Sequence, residues 1–139
     1  MYLVDTNIWL ERLLDQERAA EVGEFLALIP AEDLLMSDFS LHSIGVILDR
    51  LGQCAILTQF VDDLFVQGEV ILVSVQPEDM YHLVEVMDRF NLDFDDAYQY
   101  VAAEQSAAVI VSFDGDFDHT ERGRQTPVEV LATERTQGP

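Results

Sequence analysis

The sequence predicts an α/β protein, a three-layer α/β/α sandwich around a central parallel sheet of four to five strands. Three observations carry this. The runs Tyr2-Leu3-Val4, Leu34-Leu35-Met36, Val70 to Val73 and Ala107 to Val111 are continuously apolar, as strands covered on both faces require. Segments of helical spacing separate them, and strands alternating with helices build parallel crossovers. Each run also ends in turn or capping residues, the last one in Asp114-Gly115-Asp116.

Taken in order, the first strand ends at Asp5. Thr6 and Asn7 offer capping side chains to a helix whose apolar face begins with Ile8, Trp9, Leu10 and Leu13. A second helix runs from Arg18 to Leu28 and stops at Pro30. After the second strand, Ser37 is placed to cap a helix carrying Leu41, Ile44, Leu48 and Leu51. Gly52 closes that helix, and another follows from Gln53 to Gln67, with Ile56, Phe60 and Leu64 as its stripe and Gly68 as its stop. The third strand leads to Pro77 at the start of a helix that closes at Asn91. Asp93 caps the next helix, which feeds the fourth strand. Thr126-Pro127-Val128-Glu129 has the form of a capping box, opening a short helix through Leu131. One domain is expected over residues 1–132, with 133–139 frayed.

Composition narrows the function. Twenty-seven acidic residues face seven arginines and no lysine, a formal net charge of −20. The missing lysine excludes a phosphate-loop lysine, Schiff-base chemistry and a response-regulator receiver site. The charge opposes any polyanion unless salt or a divalent ion intervenes, and it suits either high salt or a basic partner. A single cysteine, Cys54, allows no disulfide within the chain and is expected to be buried as a small hydrophobe. No apolar run approaches the roughly 20 residues that span a bilayer, and the start of the chain lacks the features of a signal peptide. A cytoplasmic location without membrane attachment is the expectation.

Carboxylates from three distant segments fall at strategic places: Asp5 at the end of the first strand, Asp96 in the first turn of a helix, and Asp114 and Asp116 after the fourth strand. Each has a plain alternative. Asp5 serves equally as a helix cap, Asp96 as a charge at a helix N-terminus, and Asp-Gly-Asp as a solvated turn. On a parallel sheet with the first strand central, Asp5 and Asp114 emerge side by side at one edge, where such sheets bind ligands. Carboxylates about 4 Å apart repel by roughly 1 kcal/mol in water and roughly 4 kcal/mol at an effective dielectric of 20, so a cluster calls for a cation. Oxygen-only ligands favour Mg²⁺ or Mn²⁺, ions that serve phosphoryl chemistry.

Leu3-Val4-Asp5-Thr6-Asn7, Asp96-Ala97 with Ala102 and Ala103 behind it, and Val111-Ser112-Phe113-Asp114-Gly115-Asp116-Phe117 resemble the PIN-domain ribonucleases, which include the toxin half of VapBC toxin–antitoxin modules. The resemblance covers Met1 to about Leu131. It implies Asp5, Asp96 and Asp114 as metal ligands, Asp116 as an auxiliary ligand or water-holder, and Thr6, Asn7 and Ser112 as supports. The implied reaction is Mg²⁺- or Mn²⁺-dependent hydrolysis of RNA, with an antitoxin as partner and a homodimer as assembly. One departure stands out. Where the family carries a glutamate in the helix after the second strand, this chain has Ser43, with Asp38 and His42 nearby. Arg122 and Arg124 are the residues expected to steady a phosphate, and Arg12 and Arg18 lie beyond Asp5. The competing reading is a PIN-fold binding or regulatory module with weakened catalysis. A haloacid-dehalogenase-like phosphatase is disfavoured, because Asn7 stands where a second aspartate is needed and there is no lysine.

Overall fold

Four parallel strands form one sheet in the order β3-β2-β1-β4. The computed structural model describes residues 1–137. The strands are β1 (Tyr2–Val4), β2 (Leu34–Ser37), β3 (Ile71–Val73) and β4 (Val109–Val111). Helices α1 (Thr6–Leu13) and α2 (Ala19–Leu28) join β1 to β2, and α3 (Asp38–Arg50) and α4 (Cys54–Val61) join β2 to β3. Helices α5 (Met80–Phe90) and α6 (Phe94–Gln105) return the chain across the sheet to β4, and α7 (Pro127–Gln137) ends it.

The pleat sorts the core into two layers. Leu3, Leu35 and Ile110 pack with Leu83, Val86, Tyr100 and Val101 of α5 and α6. Val4, Leu34, Met36 and Val111 face the other way, against Ile8, Trp9, Val22, Phe25, Ile44 and Val130. The split follows from handedness. The first two crossovers step outward from β1 in one direction and the third steps back, so right-handed connections put α5 and α6 on the opposite face. The strand order therefore reverses between β1 and β4, and the crevice at their carboxyl ends is the place where such sheets take ligands. A fifth strand is reduced to one residue: Gln125 bridges to Val111, its N–H donating to the Ile110 carbonyl at 2.8 Å.

Most helix boundaries follow the capping residues. Ser37 accepts from the Ser40 N–H at 3.0 Å and Asp93 from the Asp96 N–H at 2.9 Å. The Thr126–Glu129 box closes in both directions, at 3.1 and 3.3 Å. Asn91 takes the left-handed conformation at the end of α5, with φ 52°.

Five expectations need correction. Asp5, rather than Thr6 or Asn7, caps α1, which places the two later residues inside the helix. The helix expected over Gln53 to Gln67 turns wider after Val61, the Gln67 N–H reaching the Asp62 carbonyl five residues back at 2.8 Å. That wider turn lets Leu64 and Phe65 both pack on the core. Gly68 is needed there because a Cβ would lie 2.5 Å from the Asp63 carbonyl. Strand β3 is not covered on both faces; as the sheet edge it leaves Ile71 and Leu72 exposed. Cys54 is exposed at the start of α4 rather than buried. The last helix does not stop at Leu131 but continues to Gln137, held by a hydrogen bond from the Tyr2 hydroxyl to Glu134 and by Arg135 pairing with Glu24 at 3.4 Å. Gly138 and Pro139 of the expected frayed tail lie outside the described residues.

Candidate metal centre

Asp5 is buried at the end of the central strand, and the protein surrounds its carboxylate with donors. Oδ1 accepts from the Thr6 N–H and from Gln99 Nε2, both at 2.8 Å. Oδ2 accepts from the Ser112 hydroxyl at 2.7 Å and, at a long 3.5 Å, from Asn7 Nδ2. Burial raises the Asp5 pKa, the Gln99, Ser112 and Thr6 hydrogen bonds oppose that rise, and the Asp114 charge adds to it. The capping and site readings of Asp5 are therefore compatible: one oxygen closes the helix while the other faces Ser112.

Ser112, fully buried, ties the segments together. Its hydroxyl donates to Asp5 and accepts from the Asp114 N–H at 2.9 Å and from Asn7 Nδ2 at 3.2 Å. Asn7 Oδ1 in turn accepts from the Phe113 N–H at 3.2 Å. The turn after β4 is then fixed by Asp114 itself, whose Oδ1 accepts from the Asp116 N–H at 2.8 Å. Two residues that drew no attention in the sequence complete the base of the site. Gln99 and Ser40 are both buried, and Gln99 Nε2 also donates to the Ser40 hydroxyl at 2.7 Å. Ser40 Oγ lies 2.9 Å from the Thr6 hydroxyl, which donates to it. Spacing puts Ser40 three residues from the Ser37 cap and Gln99 three from Asp96, each on the same helix face, but it does not mark either as a partner of Asp5 or Thr6.

The acids at the mouth converge. Oxygens of Asp96, Asp114 and Asp116 all lie within 4.8 Å of one another. Asp5 is not in that triplet but lines the adjoining pocket with Asp96, Asp114, Asp95, Thr6 and Ser43. Ser43 of α3 lines the same pocket. The Asp96 pKa is pushed up to about 7, first by burial and then by the charges of Asp114, Asp93, Asp5 and Asp116. Among the described residues no arginine or histidine forms an ion pair with Asp96, Asp114 or Asp116. Three convergent carboxylates without a counter-charge, all oxygen donors, fit a hard divalent cation.

The two arginines expected to meet a phosphate are engaged elsewhere. Arg124 forms a bidentate pair with Asp118 at 2.9 and 3.1 Å and donates to the Ser112 carbonyl at 3.1 Å. Arg122 donates to the Ala108 carbonyl at 2.9 Å, at the far end of β4 from the acids. Arg12 lies over Gly23 and donates to the Ala19 carbonyl at 3.3 Å. Arg18 stacks instead, its guanidinium 4.7 Å from the centre of the Phe113 ring, with a 3.9 Å contact to Glu21. His42, like the acids' neighbour Asp95, is exposed.

Comparison with known proteins agrees with this architecture. No curated protein sequence matches the chain. Among solved structures, the Mycobacterium tuberculosis toxin VapC20, described as cleaving the sarcin-ricin loop, superposes with a TM-score of 0.74 at 18% identity, covering 88% of this chain and 96% of that one. A toxin–antitoxin complex from Klebsiella pneumoniae matches with a TM-score of 0.72 at 18% identity, covering 91% of this chain and 98% of its counterpart. FitAcB from Neisseria gonorrhoeae gives 0.71 at 18% identity over 92% of this chain and 99% of that chain. At such identities these likenesses speak to the fold alone. No helix among the described residues is long and apolar enough to cross a membrane. The PIN domain family model matches residues 2–123, which span all four strands and Asp5, Asp96, Asp114 and Asp116, and the chain belongs to the PIN-domain family.

Proposed function

We propose that the protein is a Mg²⁺- or Mn²⁺-dependent ribonuclease that hydrolyses RNA phosphodiester bonds, acting as the toxin of a toxin–antitoxin pair. The observation that carries this is the triplet of Asp96, Asp114 and Asp116 without a counter-charge, beside buried Asp5, at the reversal point of the sheet. Asp96, Asp114 and Asp116 would hold the ion, with Asp5 completing the set from below. When bound, the ion supplies an activated water and neutralises charge on the phosphate. Ser112 and Asn7 hold Asp5 and the Asp114 turn in a fixed relation, so the acids are arranged before substrate arrives. With a net charge of −20, RNA binds against the protein's own field, and salt or divalent ions are needed to screen it. A cytoplasmic homodimer with an antitoxin partner is the assembly that goes with this reading; the likeness in fold to a toxin–antitoxin complex supports the antitoxin partner.

A second reading rests on Ser43. A neutral hydroxyl lines the pocket where the family resemblance expects a glutamate, which favours a binding or regulatory module with little catalysis. Cleavage of a structured RNA in millimolar Mn²⁺, at low and high salt, separates the two. Cleavage by the wild type that disappears in Asp114→Asn and rises in Ser43→Glu is the expected result. If neither the wild type nor Ser43→Glu cuts RNA under any of these conditions, the nuclease reading fails and the binding module stands.

A further inference from the structure

Gln99 lies in α6, one turn beyond Asp96, and is 1% exposed. It spends both amide hydrogens on the site, one on Asp5 Oδ1 at 2.8 Å and one on Ser40 Oγ at 2.7 Å. Its own carbonyl oxygen, Oε1, is the one buried side-chain polar atom without a hydrogen-bond partner among the described residues. The amide orientation follows from the chemistry, because exchanging Nε2 and Oε1 would press a carbonyl oxygen against the Asp5 carboxylate. An orphaned buried carbonyl is costly, and an apolar side chain of the same length would fill this part of α6 without it. Packing therefore does not explain a glutamine here; its two donated bonds do.

Those bonds act on a single atom pair. A carboxylate oxygen has about two acceptor sites. Oδ1 of Asp5 uses them on the Thr6 N–H and Gln99 Nε2. Oδ2 has one short bond, from Ser112, and only the 3.5 Å contact with Asn7 opposite. We infer that Gln99 is a positioning residue: it saturates Asp5 Oδ1, leaves Oδ2 as the oxygen free to serve a divalent cation, and locks that orientation to α3 through Ser40. Without Gln99 each oxygen keeps one short bond, Oδ1 from the Thr6 N–H and Oδ2 from Ser112, so the roughly two-fold terminal torsion no longer has a preferred oxygen. The inference rests on the reading of the acid pocket as a divalent-metal site.

Mn²⁺ titration of the full-length protein by calorimetry tests it, with Gln99→Met removing the donor at constant length and Gln99→Asn keeping the amide but shortening its reach. Loss of a group that orients a metal ligand weakens metal binding by about 10–100-fold, and both variants are expected to show a rise of that size in Kd. Equal Kd for wild type and Gln99→Met overturns the positioning role while leaving the metal site intact. A wild type that binds no Mn²⁺ overturns both. Should the variants fail to fold, the wild type decides: the Gln99 side-chain amide protons are expected to exchange slowly and to shift when diamagnetic Mg²⁺ is added. Signals that stay in place at saturating Mg²⁺ overturn the inference.

Discussion

Replacing Asp96 by asparagine is expected to stabilise the metal-free protein while weakening its response to metal. Asp96 takes part in two of the three pairings among Asp96, Asp114 and Asp116, whose oxygens lie within 4.8 Å. At that distance two unit charges repel by about 0.9 kcal/mol in water and about 3.5 kcal/mol at an effective dielectric of 20. Asp96 and Asp114 are half-buried and Asp116 is exposed, so the lower figure is a floor, and the two pairs together come to at least about 2 kcal/mol. Among the described residues the Asp96 side chain accepts no hydrogen bond that the substitution would break. For a domain of this size about 2 kcal/mol corresponds to a rise of roughly 4–8 °C in Tm. The sign depends on pH. Asp96 keeps its proton in the folded state up to about 7, against its ordinary value of 3.8. The folded state therefore holds the extra proton between those values, and wild-type stability is lost as pH rises from near 3.8 through about 7. Asp96→Asn lacks that slope, so the gap between the two melting curves widens from pH 5 to pH 8. Mn²⁺ should close it from the wild-type side, since a ligand at 100 times its Kd stabilises by about 2.7 kcal/mol. Scanning calorimetry at both pH values, with EDTA and with Mn²⁺, reads all of this. A variant that melts with the wild type at pH 8 and shows an equal Mn²⁺ shift would refute the reasoning.

Three further outcomes follow from the same geometry. Ser112→Ala strands the Asp114 N–H and removes a donor from buried Asp5, and should cost about 1–3 kcal/mol in urea denaturation; a midpoint equal to wild type would show that the hub is not needed. Arg124→Gln should lower stability by about 1–2 kcal/mol through loss of the Asp118 pair and the Ser112 carbonyl bond. It should leave the salt dependence of RNA binding unchanged, whereas a slope reduced by about one would restore Arg124 as a phosphate contact. The charge of −20 predicts that Tm climbs as KCl is raised from about 0.1 M to about 1 M, over which the Debye length shrinks from about 10 Å to about 3 Å. A flat or falling Tm would remove self-repulsion from the account.

The parts of this fold legible in the sequence are those written in short-range patterns. Ser37, Asp93 and the Thr126–Glu129 box act on N–H groups three residues away, so spacing alone identifies them. The convergence of Asp5, Asp96 and Asp114 was legible only through the topology, since a parallel sheet with β1 central forces their segments to one edge. What depends on side chains reaching across the fold was not legible. Gln99 sits in a helix face otherwise made of alanine, valine and tyrosine, and nothing local marks its contact with Asp5. Arg122 and Arg124 looked free beside an acidic turn, yet their donors are taken by Ala108, Asp118 and Ser112. The exposure of Ile71 and Leu72 was hidden for a related reason: an apolar run records that a strand exists, and strand order decides whether it lies at the edge.

The account depends most on the acids forming a divalent-cation site. A crystal grown in Mn²⁺ and measured for anomalous scattering tests that directly. The account predicts a peak bounded by Asp96, Asp114 and Asp116, with Asp5 Oδ2 facing it. Full-occupancy crystals with no peak there, or with Mn²⁺ bound only away from these four aspartates, would contradict it.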